Sequence, residues 1–339
     1  MDQRINFSEN RNVFMPTEKM KKSLLQAVKK VYEYPDYTNT EVNNIIANYF
    51  GIFFDNVSVT NGSMEAINLL VNVLRKNDAT LFKPTFWGYE DALMRYAYNI
   101  NSVPLDHKLK YNVDNIELQA QNSDIIFICN PNNPTLDFID KNVLIEIIKH
   151  NPNCHFIIDE TMLIFDKKFF NKSLTKYVAS VNNLSVIISF SKFLGIAGLR
   201  TGAVFSNENL IKKIKNQMVP YSLGVIQQEL LPCAFSDRDY LNKTRELIKI
   251  NKDQLCEALR NIGCHIIDGN TNFVLVRLPF EIDSNEVTQF LMENNMIVRN
   301  IKESYPELIG DWLRVSVNTK DNNDLLVKKL KQSFNNFSK

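Results

Sequence analysis

Lys192 stands in the run Ser189-Phe190-Ser191-Lys192-Phe193-Leu194-Gly195, directly after an apolar stretch. A lysine at a strand end, flanked by two hydroxyls, is placed for partial desolvation. Desolvation lowers the amine pKa, and a neutral amine is an imine-forming nucleophile. An ordinary loop lysine, by contrast, is a solvated charge. Eight residues on, Gly198-Leu199-Arg200-Thr201-Gly202 sets a guanidinium between glycines. Its fork suits a phosphate dianion, and the hydroxyls of Ser189 and Ser191 are further donors. Upstream, Thr60-Asn61-Gly62-Ser63-Met64-Glu65 joins a strand to a helix. The first N–H groups and the dipole of that helix would favour the same anion, although a plain strand-to-helix cap has this pattern too.

Asp159 closes the run Phe156-Ile157-Ile158 and is followed by Glu160. A carboxylate there can pair with a protonated ring nitrogen, or serve merely as a helix N-cap. Cys129-Asn130-Pro131-Asn132-Asn133-Pro134-Thr135 also follows an apolar run. Its prolines define a turn, from which Asn133 can donate to a phenolate oxygen. Pro84-Thr85-Phe86-Trp87-Gly88-Tyr89 offers aromatic rings, one of which can stack on a flat ligand.

These residues need elements to hold them. At 339 residues and roughly 150 per domain, two domains are expected. The 45% hydrophobic and 23% charged composition is that of a globular chain. Its charge, 39 − 38 = +1, gives no global attraction to nucleic acid or anionic membrane. The N-terminus has no apolar signal region, and no apolar run approaches the roughly 20 residues of a membrane span. The five cysteines are scattered and the four histidines form no HxxxH pair, so neither zinc nor a disulfide framework is favoured. A reduced, cytoplasmic protein is expected.

Apolar spacing predicts a helix after Pro16-Thr17, running to Val28, and a second at Glu41–Phe50. Short β-rich runs then recur at Val57–Thr60, Ala79–Lys83, Ile125–Cys129, Phe156–Asp159, Val186–Ser189 and Gly202–Phe205, with helical patterns between them. Near-continuous apolar strands alternating with helices predict a largely parallel sheet covered on both faces. Such a sheet binds ligands at the carboxyl ends of its strands, where the residues above fall. After about residue 240 a long helix (Tyr240–Asn261), strands at Phe273–Leu278 and Trp312–Val317, and a helix near Glu286–Asn294 read as a smaller α+β domain. The expected class is α/β with this α+β domain appended, its core shared with the N-terminal segment.

Together these elements resemble the fold-type I pyridoxal-phosphate enzymes over essentially the whole chain. The closest likeness is to the branch that holds histidinol-phosphate aminotransferases and threonine-phosphate decarboxylases. The matching segments are Asn6–Asn12, Tyr34-Pro35-Asp36, Asn61–Ile67, Pro84-Thr85-Phe86, Asn130–Thr135, Asp159-Glu160, Ser191-Lys192 with Gly198-Leu199-Arg200, and Leu313–Val317.

The resemblance implies a large domain (35–235) built on a mostly parallel seven-stranded sheet, and a small domain made of 1–34 and 236–339. It implies pyridoxal 5'-phosphate as cofactor, with Lys192 the Schiff-base lysine and proton shuttle. Asp159 would hold the pyridinium proton, Asn133 the phenolic oxygen, and Phe86 would stack on the ring. Gly62, Ser63, Met64, Ser189, Ser191 and Arg200 would hold the phosphate. Tyr34 resembles the tyrosine that reaches the phosphate of a neighbouring subunit, which implies a homodimer with shared sites. Arg314 resembles the arginine for the substrate carboxylate and Arg299 one that contacts a substrate phosphate; Asn10 completes the substrate side.

Some positions depart from the pattern. Asp159-Glu160-Thr161-Met162 replaces D-E-A-Y, so a methionine stands where a tyrosine normally donates to the phenolic oxygen. Leu136 replaces a glycine, and Arg11 and Val13 replace the glutamate and proline of N-E-N-P. Arg11 is an extra anion contact or a solvent-facing side chain. The first expectation is an aminotransferase of the histidinol-phosphate type acting on a small phosphorylated amine or amino acid. The second is a decarboxylase of an O-phospho amino acid, favoured by Met162 and by Ser304-Tyr305-Pro306-Glu307-Leu308. A non-catalytic cofactor-binding regulator is disfavoured by the intact Lys192 and Arg314 and by a fold expected to start near residue 6. A nicotinamide dehydrogenase is disfavoured because no GxGxxG follows an early strand.

Overall fold

A computed structural model of the chain describes residues 4–14, 16–279, 281–305 and 308–337. Within the Ser304–Leu308 run, Pro306 and Glu307 therefore lie outside the described residues. The strands are β1 (Ile5–Asn6), β2 (Val57–Thr60), β3 (Asp78–Lys83), β4 (Asn99–Pro104), β5 (Ile125–Cys129), β6 (His155–Asp159) and β7 (Leu184–Ser189). They continue as β8 (Gly202–Ser206), β9 (His265–Ile267), β10 (Phe273–Arg277), β11 (Met296–Ile297), β12 (Arg299–Asn300) and β13 (Trp312–Ser316).

The central sheet has seven strands in the order β2-β8-β7-β6-β5-β3-β4. All neighbours run parallel except β8, which is antiparallel to both β2 and β7. The alternation within each strand explains the two cores. Ile126, Ile128, Phe156, Ile158, Val186 and Ile188 face one layer, while Ile125, Phe127, Ile157 and Ile187 face the other. Helices cover both faces, as continuous apolar strands demand. Burying each such side chain contributes about 1.5–3 kcal/mol.

A second, antiparallel sheet of order β12-β13-β10-β9 lies in the C-terminal part. Its core includes Val274, Val276, Leu313 and Val315, helix residues such as Leu259 and Leu326, and the fully buried Phe7 of the N-terminal segment. β1 pairs in parallel with β11, so the start of the chain is stitched to this unit. The next helix, Glu18–Val28, packs instead on helix Val225–Ser236, which also packs on Thr40–Phe50. Thr17 caps it, its hydroxyl accepting from the Met20 N–H. The expected strands and helices occur within about two residues of their predicted bounds. Strand β4 was not anticipated: Asn99-Ile100-Asn101-Ser102-Val103-Pro104 is polar because it is an edge strand that pairs only with β3 and lies mostly exposed, unlike β2 at the other edge. Among the described residues, no helix is long and apolar enough to cross a membrane.

Candidate active site

The sheet delivers its chemistry to one edge. β6 ends in Asp159, and β7 ends in Ser189 before the short helix that carries Lys192. β5 runs into the Asn130–Thr135 turn, β3 into Pro84–Phe86, and β2 into Gly62 and helix Ser63–Leu74. Arg200 lies two residues before the start of β8, whose antiparallel direction starts it at that same edge, with Gly202 opposite both Thr60 and Ser189. The result is a cleft of about 590 Å³. Ser63, Met64, Phe86, Asn133, Ser189, Ser191, Lys192 and Arg200 line it from the large sheet. Asn10, Arg299 and Arg314 face them, with Ser8, Glu9, Arg11 and Tyr305.

Burial pulls the Lys192 amine below its ordinary range; Asp159 opposes that shift and Arg314 and Arg200 reinforce it. Its Nζ lies 5.7 Å from the centroid of the Phe86 ring. Asp159 is locked from both sides: Oδ2 accepts from the Tyr89 hydroxyl at 2.9 Å and Oδ1 from the Thr161 N–H at 2.9 Å. The second bond is the cap-like contact expected of an aspartate after a strand. The first was missed, although Tyr89 belongs to the aromatic cluster noted in the sequence.

Asn132 ties two loops together by donating to the Pro84 carbonyl while accepting from Thr85. That leaves Asn133 at the cleft wall, where its Oδ1 accepts from Arg314 Nη1 at 2.9 Å. Its amide nitrogen has no partner among the described residues and can donate to a ligand oxygen. The Ser191 hydroxyl donates to the Thr201 carbonyl and accepts from the Thr201 N–H at 2.7 Å, so it braces the Arg200 turn before it can serve a ligand.

Arg200 sits at φ +49°, its Nη1 donating to Ala197 O at 3.1 Å. A Cβ at Gly62, where φ is +83°, would lie 3.0 Å from Arg200 Nη2. Glycine therefore lets the guanidinium close on the start of helix Ser63–Leu74, whose leading N–H groups have no intrahelical partner. The guanidinium and the free N–H groups thus converge on one point with the shape and donors that suit an anion.

Arg314 holds the other side. Nη2 donates to Ser8 O at 2.6 Å, while Nε is buried with no partner among the described residues. Burial pulls the guanidinium down to about 10; Tyr305 opposes this and Arg299 adds to it. It remains a cation at neutral pH, and no carboxylate among the described residues pairs with it. The N-terminal segment crosses the cleft between these parts: Asn10 Oδ1 accepts from Ser316, and the Asn12 N–H donates to Lys192 O at 2.8 Å. Arg11 Nε meets Glu9 Oε2 at 3.5 Å, an exposed pair worth about 0–1 kcal/mol. Tyr34 does not reach this cleft; it is 87% exposed and packs on Tyr221 at 5.3 Å. Met162 is buried in the main core and does not line the cleft.

A phosphate cradle, a desolvated lysine, a braced carboxylate and an aromatic ring on one edge fit a flat, phosphorylated aldehyde. Comparison with known proteins agrees. The family model for aminotransferase class I and II matches residues 2–330. A histidinol-phosphate aminotransferase of Caldanaerobacter subterraneus subsp. tengcongensis is 30% identical over 330 residues, covering 95% of this chain and 91% of the relative. The fold matches the crystal structure of the histidinol-phosphate aminotransferase from Clostridium acetobutylicum at TM-score 0.90 and 23% identity, covering 98% and 99% of the two chains. It matches that of the L-threonine-O-3-phosphate decarboxylase from Porphyromonas gingivalis at 0.85 and 21%, covering 98% and 99%. The chain belongs to the aminotransferase class I and II family, on the fold-type I architecture, and is a pyridoxal-5'-phosphate-dependent aminotransferase.

Proposed function

We propose that the substrate is a small phosphorylated amine or amino acid and that the cleft residues divide the work as follows. Bound pyridoxal 5'-phosphate supplies an electrophilic carbonyl and an electron sink. Gly62, Ser63, Met64, Ser189, Ser191 and Arg200 hold its phosphate. Asp159 keeps the ring nitrogen protonated, with Tyr89 and Thr161 fixing the carboxylate's direction. Asn133 donates to the phenolic oxygen, and Phe86 covers the ring face. Lys192, its pKa lowered by burial, would hold the cofactor through Nζ and accept or return the substrate's proton there. Arg314, Arg299 and Asn10 orient the substrate's anionic groups. Tyr34, exposed with Tyr37 and Tyr221 in one aromatic patch, reaches a second copy, making a homodimer; the enzyme works in the cytoplasm.

The observation that carries the substrate class is Arg314: a sheltered guanidinium facing the cleft, with Arg299 beside it and no carboxylate for either among the described residues. A second reading, decarboxylation of an O-phospho amino acid, is favoured by Met162: it packs into the main core and offers the cleft no donor where the resemblance expects a tyrosine. One experiment tests both. Holoenzyme is incubated separately with histidinol phosphate, O-phosphoserine and O-phosphothreonine, while absorbance at about 330–420 nm and carbon dioxide are followed. Stoichiometric conversion of the cofactor to its amine form without gas is expected. Catalytic gas release would establish the second reading, and no response to any of the three would sink the substrate class.

A further inference from the structure

The cleft has a cationic group beyond those assigned above. Arg11 lies in a segment pinned at alternate residues: Ser8 O by Arg314, Asn10 by Ser316, and Asn12 by Lys192 O, with Asn12 Nδ2 donating to Phe193 O at 3.1 Å. Arg11 is thus held at a set place between the lysine and the Arg314 strand, while its side chain stays 46% exposed at the mouth. Its one ionic contact among the described residues is the 3.5 Å approach of Nε to Glu9, whose side chain is 57% exposed. The two terminal nitrogens of the fork have no protein partner among those residues. A fork of this kind matches two phosphate oxygens better than a single carboxylate oxygen held at Nε.

The charges around the cleft point the same way. Its lining includes the guanidinium groups of Arg11, Arg200, Arg299 and Arg314 and the desolvated amine of Lys192, against one lining acid among the described residues, Glu9. With Arg200 given to the cofactor and Lys192 to the amine, three guanidinium groups remain for the substrate. One carboxylate would leave this set under-neutralised; a carboxylate plus a phosphate would not.

We infer that Arg11 binds the substrate's phosphate at the mouth of the cleft and that Glu9 is the counter-ion this phosphate displaces, so the pair sets selectivity for phosphorylated substrates. This rests on the substrate class proposed above. Removing the two members of the pair then acts in opposite directions. In holoenzyme, Arg11→Gln should raise KM for the phosphorylated substrate about tenfold, with most of the loss in KM rather than kcat. Glu9→Gln should lower that KM severalfold, because the competing carboxylate is gone.

Binding of inorganic phosphate to the same holoenzymes, followed by titration calorimetry, should weaken in the first variant and tighten in the second. A merely structural pair would shift both variants the same way. That result, or phosphate affinity and KM within twofold of wild type for Arg11→Gln, would overturn the inference. If no phosphorylated amine reacts with the wild-type enzyme, the substrate class fails, and the phosphate titration still decides whether Arg11 and Glu9 form an anion site.

Discussion

Arg299 and Arg314 stand directly opposite one another on antiparallel β12 and β13. Like charges in that position repel, so the pair costs the apoprotein stability in exchange for a site that attracts anions. Arg314→Gln should therefore lower kcat/KM about hundredfold while leaving stability within about 1 kcal/mol of wild type. Thermal denaturation beside steady-state kinetics checks this. A large fall in Tm would make Arg314 a structural residue instead.

The hydroxyl of Tyr89 should matter although it touches no reacting atom. Tyr89→Phe takes one of two anchors from Asp159, and a hydrogen bond to a charged group contributes about 1.5–3 kcal/mol. We expect a Tm lower by a few degrees and weaker cofactor retention on dialysis. Full cofactor retention would mean that the Thr161 N–H orients the carboxylate unaided.

Gly202 and Gly198 should respond differently to alanine. A Cβ at Gly202 would meet Ser63 N at 2.9 Å, Gly62 C at 3.0 Å and Ile188 O at 3.0 Å, all backbone atoms that cannot rotate away. Gly202→Ala should cost about 1–3 kcal/mol and loosen the phosphate cradle. At Gly198 nothing lies within 4 Å, so Gly198→Ala should be nearly neutral. Equal Tm values for the two variants would refute this account of the cradle.

Stability against pH should show two opposed slopes. Burial pushes His155 down to about 4 from 6.5, so between those values the unfolded chain takes a proton the folded chain refuses. Stability then falls on acidification, by about 3 kcal/mol over the whole window. Burial pushes Glu160 up to about 7 from 4.5, against the bonds from Ser173 and Leu174, so the folded chain keeps a proton the unfolded chain releases. That contribution falls as pH rises from 4.5 to 7. The two offset each other between pH 4.5 and 6.5. Glu160→Gln should expose the acid-side loss, seen as a Tm that drops steeply below pH 6.5. A pH profile parallel to wild type would rule the compensation out.

Much of this architecture was legible in the sequence because its strands are buried on both faces and so read as apolar runs. β4 was invisible because it is an exposed edge; β2, the other edge, is buried along its length and was found. Among the site residues, those that follow an apolar run at the sheet's ligand edge, such as Lys192 and Asn133, could be found by that position alone. Tyr89 could not be matched to Asp159, since their bond spans 70 positions and depends on how β3 and β6 are ordered in the sheet. Nor could Ser8 be matched to Arg314 across 306 positions, because a backbone carbonyl carries no residue-type signal.

That last contact also bears on how the enzyme is born. Phe7 donates its N–H to Ile297 O and accepts from the Ser316 N–H, and Ser8 accepts from Arg314. Phe7 and Ser8 must therefore wait for residues 297–316 before they settle. Until then a nascent chain can have its large sheet folded and still lack one wall of the cleft. The cleft wall is complete only once Arg314 and Ser316 have been made, so a ribosome stalled before residue 297 would carry the large sheet without it.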